Sequence, residues 1–152
     1  MMQKALDFLR NHKDVAFATC EGNIPKLRVF QIMKQEGNVL YFSTSSKKAI
    51  WQEMMKNPNV ELLAYADNIS VRCSGMVNFD VEDGVQRWIY DNNPVLSRLY
   101  SSYDQLVYFC LPIAELDYYD LSPTPPVFKH FDLMAGEVAD GFVGERFNQK
   151  NQ

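Results

Sequence analysis

Several protein classes are excluded by what this sequence does not contain. No two cysteines form a C-x-x-C pair, and the three present, Cys20, Cys73 and Cys110, are odd in number and far apart. A spaced zinc site or a thioredoxin-type redox pair is therefore not expected. All three fall in strand-like runs, where a free thiol acts as a small buried hydrophobe and fits a reducing cytoplasm. Histidine is scarce: His12 and His130 are the only two, with nothing spaced to complete a metal centre. A basic excess is also missing. Fifteen Lys and Arg against 19 Asp and Glu give a net charge of −4, so a broad nucleic-acid surface is not expected. No uninterrupted apolar run approaches the length of a membrane span. Met1 to His12 lacks the apolar region of a secretory signal. The expectation is a cytoplasmic protein with neither nucleic-acid nor membrane partners.

What the sequence does contain is enough for one compact domain of 152 residues. Aromatic residues make up 13%, many in short alternating runs that favour strands. Ala5, Leu6, Phe8 and Leu9 share a helix face over roughly Gln3 to His12, suited to covering an open end or edge of a sheet. Val15 to Cys20, Lys26 to Lys34 and Val39 to Ser43 read as three strands. They are joined by the turns Glu21-Gly22-Asn23 and Gln35-Glu36-Gly37-Asn38, which predict an antiparallel meander. The period then changes: Ile50, Trp51, Met54 and Met55 are spaced for one face of a helix over Lys47 to Lys56, stopped by Asn57-Pro58-Asn59.

Val60 to Ala66 and Ile69 to Asp80 return to strand character around a tight Asp67-Asn68 turn. Gly75 marks a bulge or a close backbone approach in the second of them. Glu82 to Asp91 and Val95 to Tyr100 read as helices, Leu106 to Ile113 and Glu115 to Leu121 as strands. The prolines of Ser122 to Pro126 break the ladder, and Val127 to Leu133 reads as a short edge strand. The domain is expected over residues 1–133, with 134–152 as a partly mobile C-terminal tail. Six or more short strands with a helix inserted after the third predict a mainly β fold with helices, a closed or split antiparallel barrel.

The chemically informative stretch runs Tyr41-Phe42-Ser43-Thr44-Ser45-Ser46-Lys47-Lys48-Ala49. It leaves a strand, passes four hydroxyl residues and enters a helix at two lysines. A helix N-terminus presents unpaired N–H groups and the positive end of the dipole, which together make an anion site. Lysines there do nothing for the helix itself, because cations belong at the other end. They make sense where a phosphate sits. A serine N-cap with two solvated lysines accounts for the same residues without a ligand. A second element is Pro25-Lys26-Leu27-Arg28-Val29-Phe30-Gln31. Lys26 and Arg28 alternate along a strand and so share a face. Arg28 suits bidentate phosphate contact, and both cations can converge on the anion of the Ser/Thr segment. Charges that merely protect a sheet edge would look alike.

These two elements carry a resemblance. Arg28-Val29-Phe30-Gln31, then Ser46-Lys47-Lys48-Ala49, then Asn57-Pro58-Asn59-Val60, then a hairpin ending near Gly75, resemble in order and spacing the pyridoxamine 5'-phosphate oxidase-like split-barrel proteins. Short members such as the general stress proteins and flavin reductase-like proteins are the nearest in kind. The resemblance covers about Phe8 to Gly75. It implies an antiparallel split β-barrel of six or more strands that binds FMN and is a homodimer with FMN at the interface.

Lys26, Arg28, Lys47 and Lys48, with Ser46 beside them, would surround the FMN phosphate. Val29, Phe30 and Gln31, together with Phe42, Ser43, Thr44 and Ser45, would run along the flavin ring and ribityl chain. Ser70 sits near the place where the oxidase puts a glutamine against the flavin. The C-terminal half departs from the oxidase, which ends in Trp, Arg, His and Arg. Aligned without gaps from Tyr119, the last three positions fall on Pro125, Val127 and Lys129, so the substrate-handling Arg and His are missing. Tyr119 and Lys129 would keep an aromatic group and a cation near a flavin held by the other subunit.

The function implied is an FMN-dependent oxidoreductase acting on a small-molecule substrate or electron donor, not a pyridoxamine phosphate oxidase. A flavin-binding or flavin-sensing module without turnover is the alternative. Replacement of FMN by heme is a third reading, against which the scarcity of histidine argues. No acid–base pair is visible, so no catalytic side chain is named. His130 reads as an exposed histidine on an edge strand, and Trp51 and Trp88 as core residues.

Overall fold

The structure is a computed structural model, described for residues 1–140. Helix α1 (Met2–Asn11) precedes the hairpin β1 (Asp14–Glu21) and β2 (Ile24–Gln31). Strands β3 (Lys34–Glu36) and β4 (Val39–Thr44) come next, then α2 (Ala49–Lys56) and the hairpin β5 (Asn59–Ala66) and β6 (Ile69–Met76). Helices α3 (Asp83–Asn92) and α4 (Pro94–Leu99) and a 3-10 turn (Tyr103–Gln105) lead to β7 (Val107–Pro112), β8 (Glu115–Asp120), β9 (Val127–Asp132) and β10 (Glu137–Asp140).

Two antiparallel sheets result. The larger has the order β10-β9-β8-β6-β5-β1-β2, and the smaller is β3-β4-β7. Both faces that meet are apolar, and together they form a barrel split along one side. At its centre Phe42 and Phe109 stack at 5.2 Å, with Phe17 and Phe30 edge-on to them at 5.3–6.1 Å. Buried Ala5, Leu6 and Leu9 bring α1 onto this core, and the Gln35 amide anchors it by donating to the Leu6 carbonyl. A smaller cluster of Val81, Ile89, Leu96 and Tyr108 seats α3 and α4 on the small sheet.

The predicted three-stranded meander does not form. The run from Lys26 to Lys34 is two strands in different sheets. The break lies at Ile32 and Met33, whose N–H groups bond outward to the carbonyls of Lys13 and Tyr41 at 2.8 Å each. One backbone thus passes from the large sheet to the small one. Strand β9 is not an edge either, because β10 pairs outside it through Glu137 to Asp140. Four residues of the segment expected as a tail are therefore in the sheet, and residues 141–152 lie outside the described ones.

Candidate functional site

The split creates the site. Strand β2 is an edge of the large sheet. Strand β4 is covered by β3 only over Val39 to Tyr41, so among the described residues its Phe42 to Thr44 end has no ladder partner on that side. Between these two open edges lies a groove of about 360 Å³, a size within the ~300–1,000 Å³ of small-molecule sites. Arg28 to Gln31 form one wall, and Ser43, Thr44 and Lys48 to Ile50 another. Helix α4 and its C-cap residue supply the third through Val95, Leu99 and Tyr100. That wall was hardly legible in the sequence. Tyr100 ends a helix with no local mark of a pocket, and the nearby Tyr103 donates to Asp83 at 2.6 Å instead.

Two features of the groove call for a ligand. The hydroxyl oxygens of Ser43 and Thr44 are buried and have no hydrogen-bond partner among the described residues. The start of α2 is also uncapped: its N-cap is Lys48, not a serine, and among the described residues no side chain caps it. The Ser45 hydroxyl accepts instead from the Lys47 N–H at 3.2 Å. The serine cap that accounts for this segment without a ligand is thus not made. Lys47 and Lys48 are exposed at this positive end of the helix dipole.

Arg28 and Lys26 do point to the inner side of β2, as alternation predicts, and both are half-buried. Arg28 already has partners, however. Its guanidinium donates to Glu53 Oε1 at 2.9 Å and to Thr19 Oγ1 at 3.1 Å, while the Thr19 hydroxyl donates to Glu53 at 2.6 Å. Glu53 is almost fully buried on the inner face of α2. The Thr19 hydroxyl and the Arg28 guanidinium hold its carboxyl below the usual carboxylate range, against the opposing effect of burial. Sequence reasoning missed Glu53, since a glutamate among Trp, Gln and Met on a helix carries no local signal of its partner.

The remaining expected residues divide. Phe42 has no exposed surface and stacks in the core, so only its backbone borders the groove. The Val29 side chain points to the outer face of the large sheet and is 75% exposed. Ser70 and Tyr119 pair with each other on that outer face, several strands from the groove of their own chain. Lys129 lies across from the buried Tyr118 and is ion-paired with Asp140. His130 is not exposed: its Nδ1 meets Asp117 at 2.7 Å and its Nε2 meets Glu115 at 3.3 Å, and it is buried between them. Cys73 and Cys110 are buried, with thiols pushed up by desolvation, whereas Cys20 is only half-buried. Trp51 packs edge-on against Phe79, but Trp88 is 42% exposed.

No protein-family model and no curated protein matches the chain. Solved structures do. A nimc/nima family protein from Clostridium acetobutylicum superposes with a TM-score of 0.71 at 25% identity, over 86% of this chain and 93% of that one. A protein from the same organism related to general stress protein 26 of B. subtilis, of the pyridoxinephosphate oxidase family, gives 0.73 at 14% identity, over 90% and 96%. A pyridoxamine 5'-phosphate oxidase-related, FMN-binding protein from Nostoc punctiforme gives 0.65 at 15%, over 92% and 93%. The chain has the split-barrel fold of these proteins, the same group that its motifs resemble.

Proposed function

We propose that the chain binds FMN in the groove at the barrel split and, as a homodimer, serves as an FMN-dependent oxidoreductase for a small molecule other than pyridoxamine phosphate. The orphaned hydroxyls of Ser43 and Thr44 carry this reading. An unpaired buried hydroxyl costs ~1–3 kcal/mol, and a polyol phosphate laid along β4 would satisfy both. The uncapped start of α2, with Lys47 and Lys48, suits the phosphate, and Lys26 adds charge from β2. Arg28 would join them while Glu53 holds it in place. The open backbone edges of Val29 to Gln31 and Phe42 to Ser45 suit the polar rim of a flavin. When bound, the flavin would supply the hydride or electron transfer. Ser70 and Tyr119, on the outer face, are assigned to the flavin of a partner subunit, and Lys129 less directly so, since Asp140 engages it. The likeness to the FMN-binding Nostoc protein supports the cofactor.

The test is a fluorimetric FMN titration of the purified protein. Thr44→Val is expected to weaken binding by about tenfold, the worth of roughly one hydrogen bond. The unliganded variant should melt no lower than the parent, since the hydroxyl has no partner to lose among the described residues. Arg28→Ala with Lys48→Ala should cost several kcal/mol, at ~1.5–3 kcal/mol for each charge-assisted bond. Unchanged affinity in both variants would remove the site.

One observation favours the alternative of a flavin-binding module without turnover: among the described residues lining the groove there is no Asp, Glu or His. Oxidation of reduced nicotinamide by the flavin-loaded protein would decide for catalysis, and its absence with a range of donors for the module.

A further inference from the structure

On the far side of Met33 from the flavin groove lies a second cleft, of about 370 Å³, between α1, the β2–β3 crossing and α3. Met33 lines both. Three cations border the second cleft: Arg10 in the last turn of α1, Lys13 just after it, and Lys34 at the start of β3. Among the described residues, no carboxylate lines it. Asp7 stands 4.0 Å from Arg10 and Glu36 stands 3.0 Å from Lys34, but both lie outside the lining. Those two carboxylates offset part of the charge of Arg10 and Lys34, and the lining itself still carries only positive groups in a chain of net charge −4. The apolar side of the cleft is as definite. Lys34 Nζ sits 3.8 Å from the centroid of the Trp88 ring, yet Trp88 remains 42% exposed. Met33 forms the wall towards the groove.

Lys34 holds the Trp88 indole through a cation–π contact, and the indole still leaves apolar surface open in the cleft that Arg10 and Lys13 border. We propose that this cleft binds a small aromatic anion, its ring against Trp88 and Met33 and its carboxylate or phosphate among Arg10, Lys13 and Lys34. The stacking and charge-assisted contacts required are ordinary ones. Binding stands on the cleft alone. Its use as the docking site of the substrate or electron donor rests on the flavin reading and on Met33 joining the two cavities.

Equilibrium dialysis of the FMN-treated protein against 2-naphthoate and 2-naphthyl phosphate tests it, with FMN content measured in the same samples. Saturable binding of either probe at one site per chain is expected, at least tenfold weaker in Arg10→Ala/Lys13→Ala, which alters only exposed side chains. Trp88→Ala should weaken it as well. Preference between the probes identifies the anion as carboxylate or phosphate. Failure of both to saturate, or equal affinity in the parent and the double variant, would overturn the proposal, whether or not FMN is bound. Loss of FMN with the probe still bound would count against the flavin reading alone.

Discussion

At the scale of single residues, the Glu53 carboxylate is the most consequential group that the sequence concealed. It is buried, accepts from Thr19 and Arg28, and has its pKa lowered in the folded chain. A group with a depressed folded pKa contributes stability above its unfolded value and loses that contribution as pH falls through the folded one. Glu53→Gln should therefore destabilise the protein at neutral pH, by about 1–3 kcal/mol for weakened bonds to a charged partner. The deficit should shrink as pH falls through and below the ordinary carboxylate range. Urea denaturation at a series of pH values measures both. A deficit independent of pH would mean that Glu53 acts through packing, not charge. The same pair explains why Arg28 was legible only in part. Alternation placed its side chain correctly, but the partner came from a helix 25 residues away.

At the scale of elements, local chemistry sufficed wherever a turn or a period is written in consecutive residues. The β5–β6 hairpin turns on Asp67 and Asn68, both at positive φ of 51° and 67°, as a two-residue turn matched to strand twist requires. The helices end at Asn57-Pro58 and near Asn93-Pro94, where the sequence marks them. The break between β2 and β3 was not legible, because Ile32 and Met33 are as strand-like as their neighbours and only distant carbonyls draw them apart. The third wall of the groove was hidden for a similar reason, since α4 reaches it by tertiary packing alone. Gly75 shows what a local reading can achieve. Its irregularity in the strand pattern foretold a close approach, and a Cβ there would stand 2.8 Å from the Pro112 carbonyl oxygen and 3.0 Å from Leu111 Cδ1. At an unstrained position Gly→Ala stabilises by ~0.4–1 kcal/mol. At this one the contact with backbone prevails, so Gly75→Ala is expected to destabilise by about 1–3 kcal/mol. Chemical denaturation gives the sign directly, and a stabilised variant would mean that β6 and the end of β7 separate freely.

At the scale of the whole molecule, the outer face of the large sheet is the feature a lone chain leaves unexplained. Leu27 and Val29 are 73% and 75% exposed on β2, and Leu63 and Tyr65 are 41% and 65% exposed on β5. Ala16 of β1 lies between Val29 and Leu63 in register, whereas Ala18 lies between Leu27 and Glu61, which pairs with Arg72. An exposed apolar patch rimmed by polar groups, here the paired Glu61, Arg72 and Asp117, marks an interaction surface, and a two-fold dimer buries the same patch on both copies. Ser70 lies across from Tyr65 on this face, and Tyr119 across from Ser70. A dimer formed here would bring both near a partner's groove, whose β2 wall carries Leu27 and Val29 on its reverse side. Oligomeric state and cofactor binding are then coupled. Leu27→Lys with Val29→Lys is expected to shift the protein from dimer to monomer in analytical ultracentrifugation and to weaken FMN binding at least tenfold. The groove's own hydroxyls and lysines are untouched by these changes. A parent protein that sediments as a monomer, or a double variant that remains dimeric with full flavin affinity, would separate the groove from this face and leave each to be explained alone.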